Sequence, residues 1–142
     1  MKSKLLLSIL VIFLVLTFIG CGTVPCCPDW VRAEQEVYSY WRAITNRQYE
    51  LAKGYCVPDG VWYNKVDEWE EYINTNSEGE ASILISKAYF HEQTEIIGDI
   101  AVVYTTIYVD KIAFPGSYLW EGDTFEYEIE LIRSLRGFWK LK

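Results

Sequence analysis

The stretch ASILISKAYFHEQTEIIGDIAVVYTTIYVD, residues 81–110, decides the fold, because its apolar and polar residues alternate with a period of two. Both halves are rich in β-branched and aromatic side chains, and Gly98-Asp99 between them suits a two-residue hairpin turn. That turn pairs residues whose numbers sum to 197. One face then carries Leu84, Ala88, Phe90, Ile96, Val103, Ile107 and Val109, which makes it the core face. The other sets Lys87 opposite Asp110, Tyr89 opposite Tyr108, His91 opposite Thr106 and Gln93 opposite Tyr104.

The C-terminal run yields to the same logic. A two-residue loop at Arg136-Gly137 would put Lys140 beside Arg133 and mix the two faces. A three-residue loop, Leu135 to Gly137 with Gly137 in the left-handed region, pairs numbers summing to 272. Tyr127, Ile129, Leu131, Trp139 and Leu141 then share one face, and Glu126, Glu128, Glu130, Lys140 and Lys142 the other. A slip of one residue would invert every side chain, so the second register is expected. Between the two hairpins Phe114 to Asp123 reads as a long connection, with Pro115-Gly116 at its start and Tyr118, Leu119 and Trp120 within it.

Upstream of residue 81 the period is helical. Asp29 is placed to cap a helix whose buried face is Trp30, Ala33, Val37, Tyr40, Trp41 and Ile44. Thr45-Asn46-Arg47-Gln48 has capping-box form, so a short second helix is expected to restart there and end near Gly54. Val57-Pro58-Asp59-Gly60 reads as a turn, Val61 to Lys65 as a short strand, Asp67 to Ile73 as a third helix and Asn74 to Glu80 as polar loop. Helices followed by long antiparallel strands make an α+β domain, with the helices packed on one face of a curved antiparallel sheet.

The N-terminus reads as an address. Lys2 and Lys4 precede an apolar run, Leu5 to Ile19, that is shorter than the ~20 residues a bilayer span needs. Phe18-Ile19-Gly20-Cys21 resembles the lipobox of bacterial lipoproteins, departing from its commonest form at Phe18. That resemblance implies a signal peptide over residues 1–20, a lipidated Cys21 carrying palmitate-type acyl chains, a tether over 21–29 and a folded domain over 30–142. It also implies membrane anchoring on the extracytoplasmic side of the cell envelope. Gly22 stands where an aspartate is associated with inner-membrane retention, which leans towards an outer membrane where one exists.

Removing residues 1–20 takes two lysines from 13 basic residues and leaves 11 against 20 acidic ones, a net charge of −9. Such a chain with no basic cluster argues against nucleic acid and against electrostatic docking on anionic lipid. All six Trp, all eleven Tyr and four Phe come after residue 20, so there is ample apolar surface for one core. Outside the cytoplasm Cys56 can pair with Cys26 or Cys27, a staple worth about 3–4 kcal/mol for a loop of about thirty residues. The lone histidine and the lack of a Cys-x-x-Cys pair point to no metal.

With these elements in order, VYSYWRAITNRQYELAKGY, the hairpin at Gly98-Asp99 and the terminal RGFWKLK together resemble the nuclear transport factor two-like fold, a cystatin-like α+β cone. Within it the chain is similar to small uncharacterised bacterial lipoproteins. The resemblance implies a cone whose mouth lies between sheet and helices, and members that are isomerases, dehydratases or cyclases, or that bind small ligands or proteins. It also implies a homodimer through the open sheet face as one arrangement, and no cofactor.

Two ionisable residues fall on otherwise apolar faces. Glu92 sits between Phe90 and Thr94, and Arg133 comes after Leu131. Buried charges must be paired, so the two can pair with one another, line a wet pocket, or be turned outward by a bulge. His91 points away from the core in the 197 register and reads as a half-exposed sheet residue. Glu126, Glu128 and Glu130 stand ~6.8 Å apart along one face opposite Lys140 and Lys142, a solvated ladder of ion pairs. The function expected is therefore a non-catalytic, membrane-anchored module binding a small apolar or amphipathic ligand or an envelope protein, with Tyr40, Trp41, Phe90, Glu92, Trp120 and Arg133 as contact residues. The alternative is a cofactor-free isomerase or dehydratase with Glu92 as base and Arg133 or Tyr127 as oxyanion partner.

Overall fold

The computed structural model describes residues 27–77, 81–90, 94–113 and 117–142. The first apolar stripe becomes helix α1, Asp29–Thr45, with Ala33, Val37, Tyr40, Trp41 and Ile44 buried and Ala43 joining them. Trp30 departs from expectation and is 49% exposed. Consecutive helix residues point about 100° apart, and Asp29 is the residue turned towards the sheet. Asp29 is also the first helical residue rather than the cap, and makes no capping bond. Its carboxylate receives Arg133 at 2.6 Å instead.

The capping box at Thr45 does not form. Thr45 is still helical and its hydroxyl donates to the Trp41 carbonyl at 2.9 Å, so it is not free to cap the next helix. Helix α1 ends in a Schellman arrangement: Arg47 N–H donates to Ile44 O and Gln48 N–H to Ala43 O, both at 2.9 Å. Arg47 takes the left-handed position, at φ 56°. Helix α2, Tyr49–Gly54, begins without a side-chain cap. Val61 to Lys65 is not a strand. One helix, α3, runs over Val61–Asn76 and buries Trp62, Val66, Trp69 and Ile73. That spacing of four, three and four crosses the expected boundary between strand and helix, and a run as short as VWYNK cannot by itself separate the two.

Among the described residues five antiparallel strands complete the fold: β1 (Ala81–Phe90), β2 (Glu95–Ile97), β3 (Ile100–Ala113), β4 (Ser117–Arg133) and β5 (Trp139–Leu141). The order is β1-β3-β4-β5, with β2 also paired to β3. The turn at Gly98-Asp99 is as expected, and β2 keeps the 197 register, Glu95 opposite Val102 through Ile97 opposite Ile100. Beyond it the register slides. Phe90 pairs with Thr105, Tyr89 with Thr106 rather than Tyr108, and Lys87 with Tyr108 rather than Asp110. The expected His91–Thr106 pairing is thereby displaced; His91, Glu92 and Gln93 lie outside the described residues.

A further irregularity between Ile85 and Lys87 shifts the pairing by one, so Ile85 faces Val109 and Ile83 is buried. Core positions in that half of β1 therefore fall at the odd numbers 83 and 85, where the 197 register puts them at even ones. A slip of two preserves the alternation and leaves no mark in the sequence, whereas the bulge flips it and bends the strand.

The last hairpin forms as read. Leu131 pairs with Leu141, Ile132 with Lys140 and Arg133 with Trp139, all in the 272 register. Gly137 N–H donates to Ser134 O at 2.8 Å, and Gly137 sits at φ 81°. Ile129, Leu131, Trp139 and Leu141 are buried, and Lys142 meets Glu130 at 2.7 Å on the other face.

The expected connection from Phe114 to Asp123 is largely strand: Ser117 onwards belongs to β4, and Trp120 stands opposite Lys111. Extra residues in β4 bend it against β3. At Gly122 a Cβ would come within 1.5 Å of the Val109 carbonyl oxygen, so only glycine lets the two backbones approach there. Edge strand β5 is closed by the α2–α3 link, where Val57 N–H donates to Leu141 O and Leu141 N–H to Tyr55 O.

Candidate functional site

The sheet and helices α1 and α3 enclose an aromatic lattice. Trp41 stands at its centre, edge-on to Tyr40 (5.1 Å), Trp62 (6.1 Å) and Trp69 (5.3 Å) and stacked on Tyr127 (5.6 Å). Trp69 meets Phe125 at 5.2 Å, and Phe125 stacks on Tyr127. Offset and edge-to-face pairs each add about 0.5–1.5 kcal/mol beyond the area they bury. Beside the rings lies a hollow of about 160 Å³ lined by Lys65, Glu68, Trp69, Tyr72, Phe125 and Tyr127. Ligand sites usually run to about 300–1,000 Å³.

Burial, with Glu68 nearby, pushes the Tyr127 phenol up to about 12. Burial, with a hydrogen bond to Asp123 at 2.8 Å, does the same to Tyr72. Both phenols are donors at neutral pH. Three buried polar atoms of this region, Tyr40 Oη, Trp41 Nε1 and Thr105 Oγ1, have no protein partner.

A larger concavity lies beside the β4–β5 hairpin, between it and helices α1 and α2. Two adjoining hollows of about 770 and 490 Å³ share Glu36, Arg136, Phe138 and Trp139. Leu51, Tyr55 and Leu135 extend the first, and Cys27, Val31 and Arg32 the second. Phe138 is 60% exposed and Leu135 is fully exposed. Glu36 is embedded among these groups, and burial raises its carboxyl above the usual range although Lys140 partly offsets it. An apolar lining with one carboxyl and the cations Arg32, Arg136 and Lys140 suits an amphipathic molecule.

The residues singled out from sequence scatter. Tyr40 and Trp41 are core. Arg133 does not pair with Glu92, which lies outside the described residues. It bonds Asp29 at 2.6 Å, approaches Asp99 at 3.6 Å and stacks on Trp139 at 4.7 Å. Phe90 ends β1 and Trp120 lies within β4. Cys21 and Cys26 lie outside the described residues.

Cys27 is an exposed free thiol and Cys56 a buried one, so no bond joins them. Cys56 donates instead to Ala52 O at 3.5 Å. Among the described residues no group of three or more His, Cys, Asp or Glu is placed to hold a metal ion. The hairpin groove is not among the sites expected from sequence, yet one signal for it is present there. In the 272 register Phe138 falls on the face of Lys140 and Glu130, an aromatic among charges next to an exposed Leu135.

No family model and no curated protein matches the chain. Solved structures do. Aln2 from a Streptomyces species superposes with a TM-score of 0.64 at 11% identity, covering 81% of this chain and 87% of its own. A protein from Catenulispora acidiphila in complex with S-DNPA gives 0.58 at 16%, covering 79% and 87%. A putative dehydratase from the nuclear transport factor two-like family of Streptomyces avermitilis gives 0.54 at 15%, covering 80% and 90%.

The chain has the nuclear transport factor two-like fold.

At these identities the likeness carries the architecture and no chemistry. Among the described residues rings pack the space between α1, α3 and β4, and the hollows at the hairpin end exceed the one beside Tyr127.

Proposed function

We propose that the protein is a lipid-anchored, extracytoplasmic binding module, acylated at Cys21, that takes a small apolar or amphipathic molecule in the groove beside the β4–β5 hairpin and performs no catalysis on it. The observation that carries this reading is the groove itself. Its two hollows exceed the one beside Tyr127, and they are lined by Phe138, Trp139, Leu51 and Tyr55 together with Glu36, Arg32, Arg136 and Lys140. The same fold accommodates S-DNPA in the Catenulispora acidiphila protein, which supports small-molecule binding in general terms. An envelope protein is the second occupant the groove would suit.

Native mass spectrometry of residues 22–142 purified without detergent, followed by denaturing extraction, tests it. A bound molecule lost on denaturation, and absent from Phe138→Ser, is the expected result. An empty domain that also fails to retain added fatty acids or phospholipids overturns the small-molecule reading and leaves the protein partner.

The enzymatic alternative retains one supporting observation. Tyr127, protonated at the mouth of the cone with Lys65 and Glu68 beside it, can donate a hydrogen bond to an oxyanion. With Glu92 as its base, an NMR titration placing that carboxyl near its ordinary ~4.3 would remove it.

A further inference from the structure

Cys27, the first described residue, lines the groove alongside Phe138 and Arg136. Cys21 lies six positions upstream, and six residues span at most about 20 Å even when fully extended. Wherever the acyl chains of Cys21 enter a bilayer, the hairpin end of the domain is therefore held within that reach. Large apolar side chains stand in solvent here: Leu135 is fully exposed and Phe138 60% exposed, with Leu51 beside them at 49%, and among the described residues Val61 and Ile97 are the other large apolar side chains exposed beyond half.

Charge is distributed to match. The chain as a whole is acidic, at −7, but Arg32, Arg136 and Lys140 line the groove against Glu36 alone. The acids Asp29 and Asp99 at this end are taken up by Arg133. Apolar tips ringed by long cationic side chains are the pattern of a surface that sits in the lipid interface, with the cations snorkelling to the headgroups.

We infer that Leu135, Arg136 and Phe138 form a lipid-docking edge that lays the anchored domain on its own bilayer with the groove opening at the headgroup level. The inference rests on the reading of Cys21 as acylated. It deepens the proposed function, because a groove opened there draws its ligand from the membrane rather than from water. It also overrides, locally, what the net charge implies: contact is made by apolar insertion beside a groove lined by three cations and one acid.

The test uses the full chain, acylated in a bacterial host and reconstituted into vesicles of phosphatidylcholine and phosphatidylglycerol. Cys26 and Cys27 are replaced by Ser and Cys56 by Ala, and a polarity-sensitive fluorophore is attached at Leu135→Cys or, as control, at Thr124→Cys. Thr124 is exposed and nine residues along β4 from Arg133, roughly 30 Å away. The mass of the N-terminal peptide and flotation of the vesicles are read first.

Docking predicts a blue shift at 135 and loss of its emission with chain-brominated lipids, with neither effect at 124. A floating chain whose 135 label stays as water-exposed as the 124 label overturns docking and leaves anchoring intact. An unmodified peptide on a chain that fails to float overturns anchoring, and docking with it. An unmodified peptide on a chain that does float overturns acylation alone, and the two labels still decide docking.

Discussion

Tyr40 is wholly buried in the aromatic lattice, yet its hydroxyl has no protein partner. An unsatisfied buried hydroxyl costs about 1–3 kcal/mol, whereas removing it with the ring retained is near neutral or favourable. Tyr40→Phe is therefore expected to leave stability unchanged or raise it by up to about 1 kcal/mol in urea denaturation. A loss above about 1 kcal/mol would mean that the hydroxyl is satisfied by a bound water or ligand. Glu36 makes the complementary case. Burial raises its carboxyl from the ordinary value of 4.5, so the folded state holds the proton more tightly than the unfolded one. The resulting stability is fully present below 4.5 and is lost as pH rises through the raised folded value. Glu36→Gln should melt higher than the parent at neutral pH, with the difference vanishing in acid. A parent whose melting temperature did not fall across that interval relative to the variant would show the carboxyl to be solvated.

At the level of strands and helices, the bends in the sheet decide where the core lies. The β3–β4 pairing shifts between Tyr108 and Asp110, and Gly122 fits there because the Val109 carbonyl oxygen occupies the place of a Cβ. Gly122→Ala must push backbone against backbone, and is expected to cost about 3 kcal/mol or more. Equilibrium unfolding checks this, and a cost below about 1 kcal/mol would show that the bulge relaxes without effort. Alternation predicts the last hairpin correctly because Gly137 and the ion pair of Glu130 with Lys142 set one register locally. It misplaces β1 because a two-residue slip and a one-residue bulge are set by how the strand must curve over the helices, and neither has a local signature. Helix α3 is hard to read whole for a related reason: five residues are too few to show a period, while Trp62, Val66, Trp69 and Ile73 taken together show it plainly.

For the molecule as a whole, the aromatic lattice ties α1, α3 and β4 into one cooperative body. Cys56 reports on that body from the side of β5, through its bridge to Leu141. Its thiol is buried and pushed up to about 12 by burial, so near neutral pH it should react with an aromatic disulfide reagent only through global unfolding. Exposed Cys27 should react at once. A Cys56 rate faster than the unfolding free energy allows would place a local opening at the α2–β5 seam.

The class of fold, the helical face that α1 buries, both hairpin turns and the last register are all legible in the amino-acid order. Each depends on periodicity or on residues a few positions apart. Folding in three dimensions was needed to set Arg133 against Asp29, 104 residues away, to fill the cone with rings, and to leave the open groove beside the last hairpin. Those outcomes depend on which distant surfaces meet and how far each strand must bend to bring them together, and apart from Phe138 on its charged face no local pattern marks them.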